Sequence, residues 1–124
     1  MKIKHHKDLD VYNLAFKTAM KIYDISKSFP VEEKYSLTDQ IRRSSRSVCA
    51  NIAEGFRKRR YEKAFIAKLV DSEGEAAETQ TWLDFALACG YITTIKFEEL
   101  YQNYDFIIGK LVVMENNFEK WIIG

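Results

Sequence analysis

The C-terminal part of the chain carries the feature that most constrains the fold. Phe97, Leu100, Tyr104, Ile107, Leu111, Met114, Phe118 and Trp121 recur at intervals of three and four residues, the period that lines apolar side chains along one face of an α-helix. The 124 residues include only five glycines and one proline, far too few breaks for a β-sandwich, which needs a turn about every ten residues. That length holds one domain, spanning 1–124, around one core.

Three more helices follow from the same reading. Val11, Ala15, Ala19, Ile22, Ile25 and Phe29 mark a helix over 9–29, widened by Leu14 and Tyr23, with Asp8 or Asp10 as N-cap and Pro30 as the stop. Leu37, Ile41, Ser45, Val48, Ile52 and Phe56 mark a second over 36–58, capped by Ser36, with Gly55 and the basic run after it marking a turn. Phe65, Ile66, Leu69, Ala76, Ala77, Leu83 and Ala86 mark a third over 61–89, with Gly90 as the residue that ends it. Gly74 costs this helix about 1 kcal/mol relative to alanine, so another backbone is expected to approach there. The fourth helix runs over 94–122. Short connections between long helices favour antiparallel neighbours, so the expected fold is all-α, an up-down-up-down four-helix bundle.

A formal net charge of +1 hides an imbalance: residues 1–70 hold 16 Lys/Arg against 8 Asp/Glu, and residues 71–124 hold 3 against 10. Such asymmetry points to a charged partner or to complementary packing within or between copies. Cys49 and Cys89 stand 40 positions apart with no CxxC pair, so both are read as free thiols in a reducing compartment. The start MKIKHHKDLD has no apolar run behind it, and no stretch of about 18 apolar residues follows anywhere. A cytoplasmic location away from membranes is expected.

A helical wheel divides the second helix into three faces. Besides the apolar stripe, one face carries Gln40, Arg43, Ser47, Asn51 and Glu54, and another carries Arg42, Arg46, Ala50, Ala53, Arg57 and Arg60. Residues 41–60 hold seven Lys/Arg and one acid. Arg42, Arg46, Arg57, Lys58, Arg59 and Arg60 are therefore the candidate contacts for RNA or DNA, since guanidinium forks pair with phosphate and release its counterions. Tyr61 beside them is placed to stack on an unpaired base. The alternative is that these arginines pair with the acidic third and fourth helices. Arg43, Asn51 and Glu54 are read as a structural polar cluster, each meeting a neighbouring helix.

Catalysis and cofactor binding find little support. Adjacent His5 and His6 do not share a helix face, and Glu73, Glu75 and Glu78 lack the Glu-x-x-His pairs of a di-metal bundle. Cys49 has no histidine near it in sequence, the serines Ser44, Ser45 and Ser47 sit in no nucleophile elbow, and there is no Gly-rich phosphate loop. No catalytic residue, metal or cofactor is expected.

DLDVYNLA, FPVEEKYSL, QIRRSSRSVCANIAEGFRKR and ETQTWLDFALACGYI resemble, in order and spacing, the bacterial "four helix bundle protein" family, also described as proteins encoded in intervening sequences of 23S ribosomal RNA genes. Two positions depart from the family pattern: Ser36 replaces a common glycine and Cys49 a frequent proline. The resemblance implies four-helix bundles assembled as homopentameric rings, most of them without an established biochemical role. A similar branch, the accessory protein of diversity-generating retroelements, is a basic pentamer that binds nucleic acid and a partner reverse transcriptase. The basic pattern of that second helix falls here on Arg42, Arg43 and Arg46. What is implied is a non-enzymatic oligomer, with RNA or DNA as a partner or, alternatively, a protein-interaction scaffold.

Overall fold

In a computed structural model, residues 3–121 are described; the fourth helix, expected to run to 122, ends at Asn116, where Asn117 caps it. Four helices make up the bundle: α1 (Asp10–Ser26), α2 (Leu37–Arg57), α3 (Glu62–Ala88) and α4 (Thr94–Asn116), with single 3-10 turns at His6–Asp8, Val31–Glu33 and Phe118–Lys120. No strand occurs among the described residues. Each helix packs on its neighbours in sequence, and α1 closes the square against α4.

Cross-helix contacts set every direction. Ser26 of α1 meets Arg42 of α2, Glu54 of α2 meets Lys68 of α3, Gln80 of α3 meets Tyr101 of α4, and Lys21 of α1 meets Glu99 of α4. Late residues of one helix meet early residues of the next, so all four neighbours run antiparallel. The core follows most of the stripes read from the sequence: Ala15, Ile22, Ile41, Val48, Ile52, Phe65, Leu69, Leu83, Leu100, Tyr104, Ile107 and Leu111 are all inaccessible to solvent, whereas Ile66 is half-buried and Ala77, expected on the buried side of α3, is exposed.

The helix ends differ from expectation in instructive ways. Neither Asp8 nor Asp10 caps α1; Leu9 takes that position without a side-chain bond. The Asp8 carboxylate instead accepts the amides of Lys4 and His5 at 3.1 and 3.0 Å, closing the preceding turn. Ser36 does not cap α2. Its hydroxyl donates to Glu33 Oε1 at 2.6 Å, and Glu33 accepts the Leu37 amide at 3.3 Å, so the longer side chain does the capping. The other Glu33 oxygen accepts the Tyr91 hydroxyl at 2.9 Å, tying the α1–α2 connection to the α3–α4 connection. α1 ends at Ser26, three residues early: the amides of Lys27, Ser28 and Phe29 bond back to Asp24, Ile25 and Ser26 in the tighter 3-10 wind before Pro30. Gly90 ends α3 as expected, with φ of +76°. The Tyr91 amide reaches the Ala86 carbonyl and the Gly90 amide the Leu87 carbonyl, both at 2.9 Å, the paired bonds of a Schellman motif.

The α2–α3 seam is lined by small residues. Thr79 Oγ1 donates to Ser44 Oγ at 2.8 Å and Ser72 Oγ to the Val48 carbonyl at 2.8 Å, so the buried hydroxyls are satisfied while the helices stay close. The close approach expected at Gly74 is absent: that glycine is exposed and a Cβ there would meet nothing within 4 Å. It occurs at Gly55, where a Cβ would lie 3.1 Å from Lys68 Cβ and 3.5 Å from Leu69 Cδ2 and the Phe65 carbonyl. Gly74→Ala is therefore expected to raise stability by up to about 1 kcal/mol. Gly55→Ala, where the same helix-propensity gain is offset by pushing α3 away, should come out about 1–3 kcal/mol below it. Urea unfolding of both variants checks the order; equal midpoints would contradict the packing at Gly55.

Between α3 and α4, burial and then the adjacent Glu73 carboxylate push the Glu115 carboxyl up to about 8. One of its oxygens, Oε2, is buried without a partner. The folded chain thus holds this proton more tightly than the unfolded chain, where glutamate titrates near 4.5. Its contribution to stability is fully present below about pH 4.5 and is lost as pH rises through about 8. Glu115→Gln should flatten this fall and stabilise the protein at pH 8 by on the order of 1 kcal/mol, allowing for solvent near the pair. Thermal melts from pH 5 to 9 test it; parallel profiles for variant and parent would remove Glu115 as the cause.

Candidate nucleic-acid interface

The residues after Gly55 cannot continue along α3, and the chain reverses in a short connection over 58–61. The Lys58 amide bonds to the Glu54 and Gly55 carbonyls at 3.1 and 3.0 Å, and the Tyr61 amide to the Lys58 carbonyl at 2.9 Å. Arg59 holds the corner: its guanidinium lies 3.8 Å from the centroid of the Phe56 ring and donates to the Phe56 carbonyl at 2.9 Å. A cation there adds a second donor to a carbonyl at the helix end and complements the negative end of the α2 dipole. α3 then starts without a side-chain cap.

The N-terminal turn packs across this corner. His5 Nδ1 accepts the Lys7 amide at 3.2 Å, leaving Nε2 as the nitrogen that carries the proton when the ring is neutral. The His5 and His6 rings lie 4.2 Å apart, and His6 sits edge-on to Tyr12 at 4.7 Å. Burial, then His5 and Lys7, push the His6 imidazole below its ordinary range. Together the two segments enclose a cleft of about 660 Å³. Ala53 and Phe56 form its floor, and Lys4, His5, His6, Arg57, Lys58, Arg59, Arg60 and Tyr61 its walls. Its single carboxylate, Glu54, pairs with Lys68 at 2.9 Å.

The six candidate contacts thus fall into two places. Arg57, Lys58, Arg59 and Arg60 share the cleft, whereas Arg42 and Arg46 lie against α1. The Arg42 guanidinium is 4.8 Å from the Tyr23 centroid with its Nε donating to Ser26 at 2.8 Å, and the Arg46 guanidinium is 5.8 Å from the same ring. Among the described residues, no arginine on α2 or in the turn after it forms an ion pair with a carboxylate. Pairing within one chain with the acidic helices, the alternative reading, is absent there.

Arg43, Asn51 and Glu54 do not form one polar cluster. Asn51 bonds back to the Ser47 carbonyl at 2.9 Å, Glu54 takes Lys68, and Arg43 is exposed beside Glu75 and Glu78. Arg43 lies about two turns before Asn51 and Glu54 about one turn after it, and each found a nearer partner on its own helix, on α3 or in solvent. The buried polar network is instead the Ser44, Ser72 and Thr79 seam, with Gln80 bridging to the Tyr101 carbonyl and Asp105 at 3.1 and 2.8 Å.

Burial pushes the Cys49 thiol up to about 11, which suppresses the thiolate a nucleophile needs. Glu115, the most perturbed carboxyl, does not line the cationic cleft. Among the described residues no group of three or more His, Cys, Asp and Glu side chains is placed to hold a metal ion, and no helix is long and apolar enough to cross a membrane.

Lys4, His5 and His6 are the part of the cleft that the polar faces of the second helix do not reveal. The sequence signal was present: Asp8 three residues after His5 closes a capping box. It specifies the turn, not where the turn docks.

A protein of unknown function from the S23 ribosomal protein family of Bacteroides thetaiotaomicron, known from a crystal structure, is similar throughout. Its TM-score is 0.77 at 29% identity, covering 86% of this chain and 95% of that one. No protein of curated function matches. The profile described as 23S rRNA-intervening sequence protein matches residues 7–112, a span running from the N-terminal turn through all but the last residues of α4. The four antiparallel helices and the cationic corner at the end of the second are therefore features of a chain that belongs to the 23S rRNA-intervening sequence protein family.

Proposed function

We propose that the protein is a non-enzymatic oligomer, a homopentameric ring as the family resemblance implies, that binds RNA or DNA through the cations at the α2–α3 corner. One observation carries this reading: Arg57, Lys58 and Arg60 are exposed, share one cleft and have no carboxylate partner among the described residues. Unpaired cations held close together repel one another, and a polyphosphate relieves that repulsion while releasing its own counterions. Repetition around a ring multiplies a weak site wherever one strand spans several copies. A partner protein such as a reverse transcriptase fits the same picture as the bearer of the nucleic acid.

A second reading is supported by the apolar surface. Phe16, Met20, Phe85, Phe106 and Val113 are more than 45% exposed, and exposed apolar area of this kind marks contact surfaces. In a scaffold without nucleic-acid affinity, the basic half of one copy meets the acidic half of the next in a heterologous contact that closes into a ring. Light scattering across a salt series separates the two: dissociation at high salt favours the scaffold.

Fluorescence anisotropy with a labelled RNA tests the first reading. Affinity should fall steeply between 50 and 200 mM salt, by roughly tenfold or more for a few phosphate contacts. The triple change Arg57→Glu, Lys58→Glu and Arg60→Glu should abolish binding while leaving the melting temperature nearly unchanged. Arg59 is kept because it holds the end of α2. Undiminished RNA binding by the triple variant would remove the cleft from the function.

A further inference from the structure

We propose that the cleft at the α2–α3 corner is a pocket for one unpaired nucleotide, with the base against its aromatic wall and the attached phosphate on its cations. The proposal rests on the polyanion reading above and narrows it to single strands. A plain phosphate site needs only cations. This cleft also presents Tyr61, 65% exposed, and the His5–His6 ring pair, over an apolar floor. The Arg59 guanidinium, 3.8 Å from the centroid of the Phe56 ring, offers a further stacking plane. Its volume of about 660 Å³ lies within the range of small-ligand pockets, whereas a duplex keeps the faces of its bases stacked inside and offers none of them to an aromatic ring.

The histidine side of the aromatic wall is built before any ligand arrives. Asp8 fixes the backbone of Lys4 and His5, and the amide on His5 Nδ1 orients that ring. Arg57, Lys58 and Arg60 have no carboxylate partner among the described residues, and the one carboxylate lining the cleft is held by Lys68. Base stacking and phosphate pairing are thus available side by side, the combination by which single strands are held without sequence preference.

Proton NMR of the His5, His6 and Tyr61 ring signals, titrated with adenosine monophosphate, adenosine and inorganic phosphate, tests the pocket directly. The nucleotide should shift all three rings with about tenfold higher affinity than either of its parts. Tyr61→Ala should weaken both the nucleotide and a single-stranded oligoadenylate about tenfold, Tyr61→Phe should retain binding, and a duplex of equal length should be indifferent to both changes. A nucleotide that binds no better than phosphate, or a Tyr61→Ala variant that binds it normally, overturns the proposal. If strand and duplex bind alike and Tyr61→Ala changes neither, the pocket falls and the polyanion reading stands. If the nucleotide behaves as expected while oligonucleotides fail to bind at low salt, the pocket stands and the polyanion reading falls.

Discussion

The contact between Gly55 of α2 and the Phe65–Leu69 turn of α3 sets the geometry on which the cationic corner depends. With no side chain at 55, the two helices approach until a Cβ would touch Lys68, and the chain must reverse within residues 58–61. A looser seam would let the connection spread, as the α1–α2 connection does over 27–36, and its cations would separate into solvent. The seam also explains why the buried polar groups there are serine and threonine. Hydroxyls are short enough to bond across helices in close contact, and each buried one that finds a partner avoids the penalty of an unsatisfied group.

The stripes from Val11 to Phe29, from Leu37 to Phe56 and from Phe97 onward were legible in the sequence because helical period alone decides which residues face inward. Gly90 was legible because a left-handed residue after a helix has few other meanings. Gly74 and Gly55 show where such reading stops. Gly55 lies in the last turn of α2 and Gly74 near the middle of α3, and only the relative rotation of α2 and α3 decides which one meets a neighbour. Ser36 and Asp8 had the right chemistry for caps, but Glu33 reached the α2 amide first and Asp8 was taken by the turn before α1. A cap is a competition among nearby oxygens, and sequence names the contestants without the distances.

The wheel of the second helix placed Arg42, Arg46, Arg57 and Arg60 on one face, but α2 ends at Arg57, so Arg60 sits in the turn beyond it, and the structure divides the roles of the others. Tyr23 and Ser26 on α1 engage the first two, so that end of the face is part of the packing between helices. Past Phe56 there is no helix opposite, and the same face opens onto the N-terminal turn. The division follows from lengths: α1 begins at Asp10 and its antiparallel course leaves the last turn of α2 facing residues 4–6 instead of a helix. That is a fact about tertiary register, which periodicity does not carry.

The corner combines stabilising and costly elements, and the difference between them is informative. Arg59 is stabilising, since its guanidinium caps a carbonyl and stacks on Phe56, although burial and the neighbouring Arg57 lower its pKa. Arg57, Lys58 and Arg60 give the fold no contact of that kind. They add like charge beside Arg59 and Lys4, within a distance over which salt at physiological strength screens only partly. A folded chain has ready ways to avoid this, such as turn residues without charge or a carboxylate from α3 placed opposite. The only carboxylate in the cleft, Glu54, is committed to Lys68 instead. An arrangement that stability does not require, and that mutual repulsion mildly opposes, is accounted for when the missing counter-charge arrives from outside the chain.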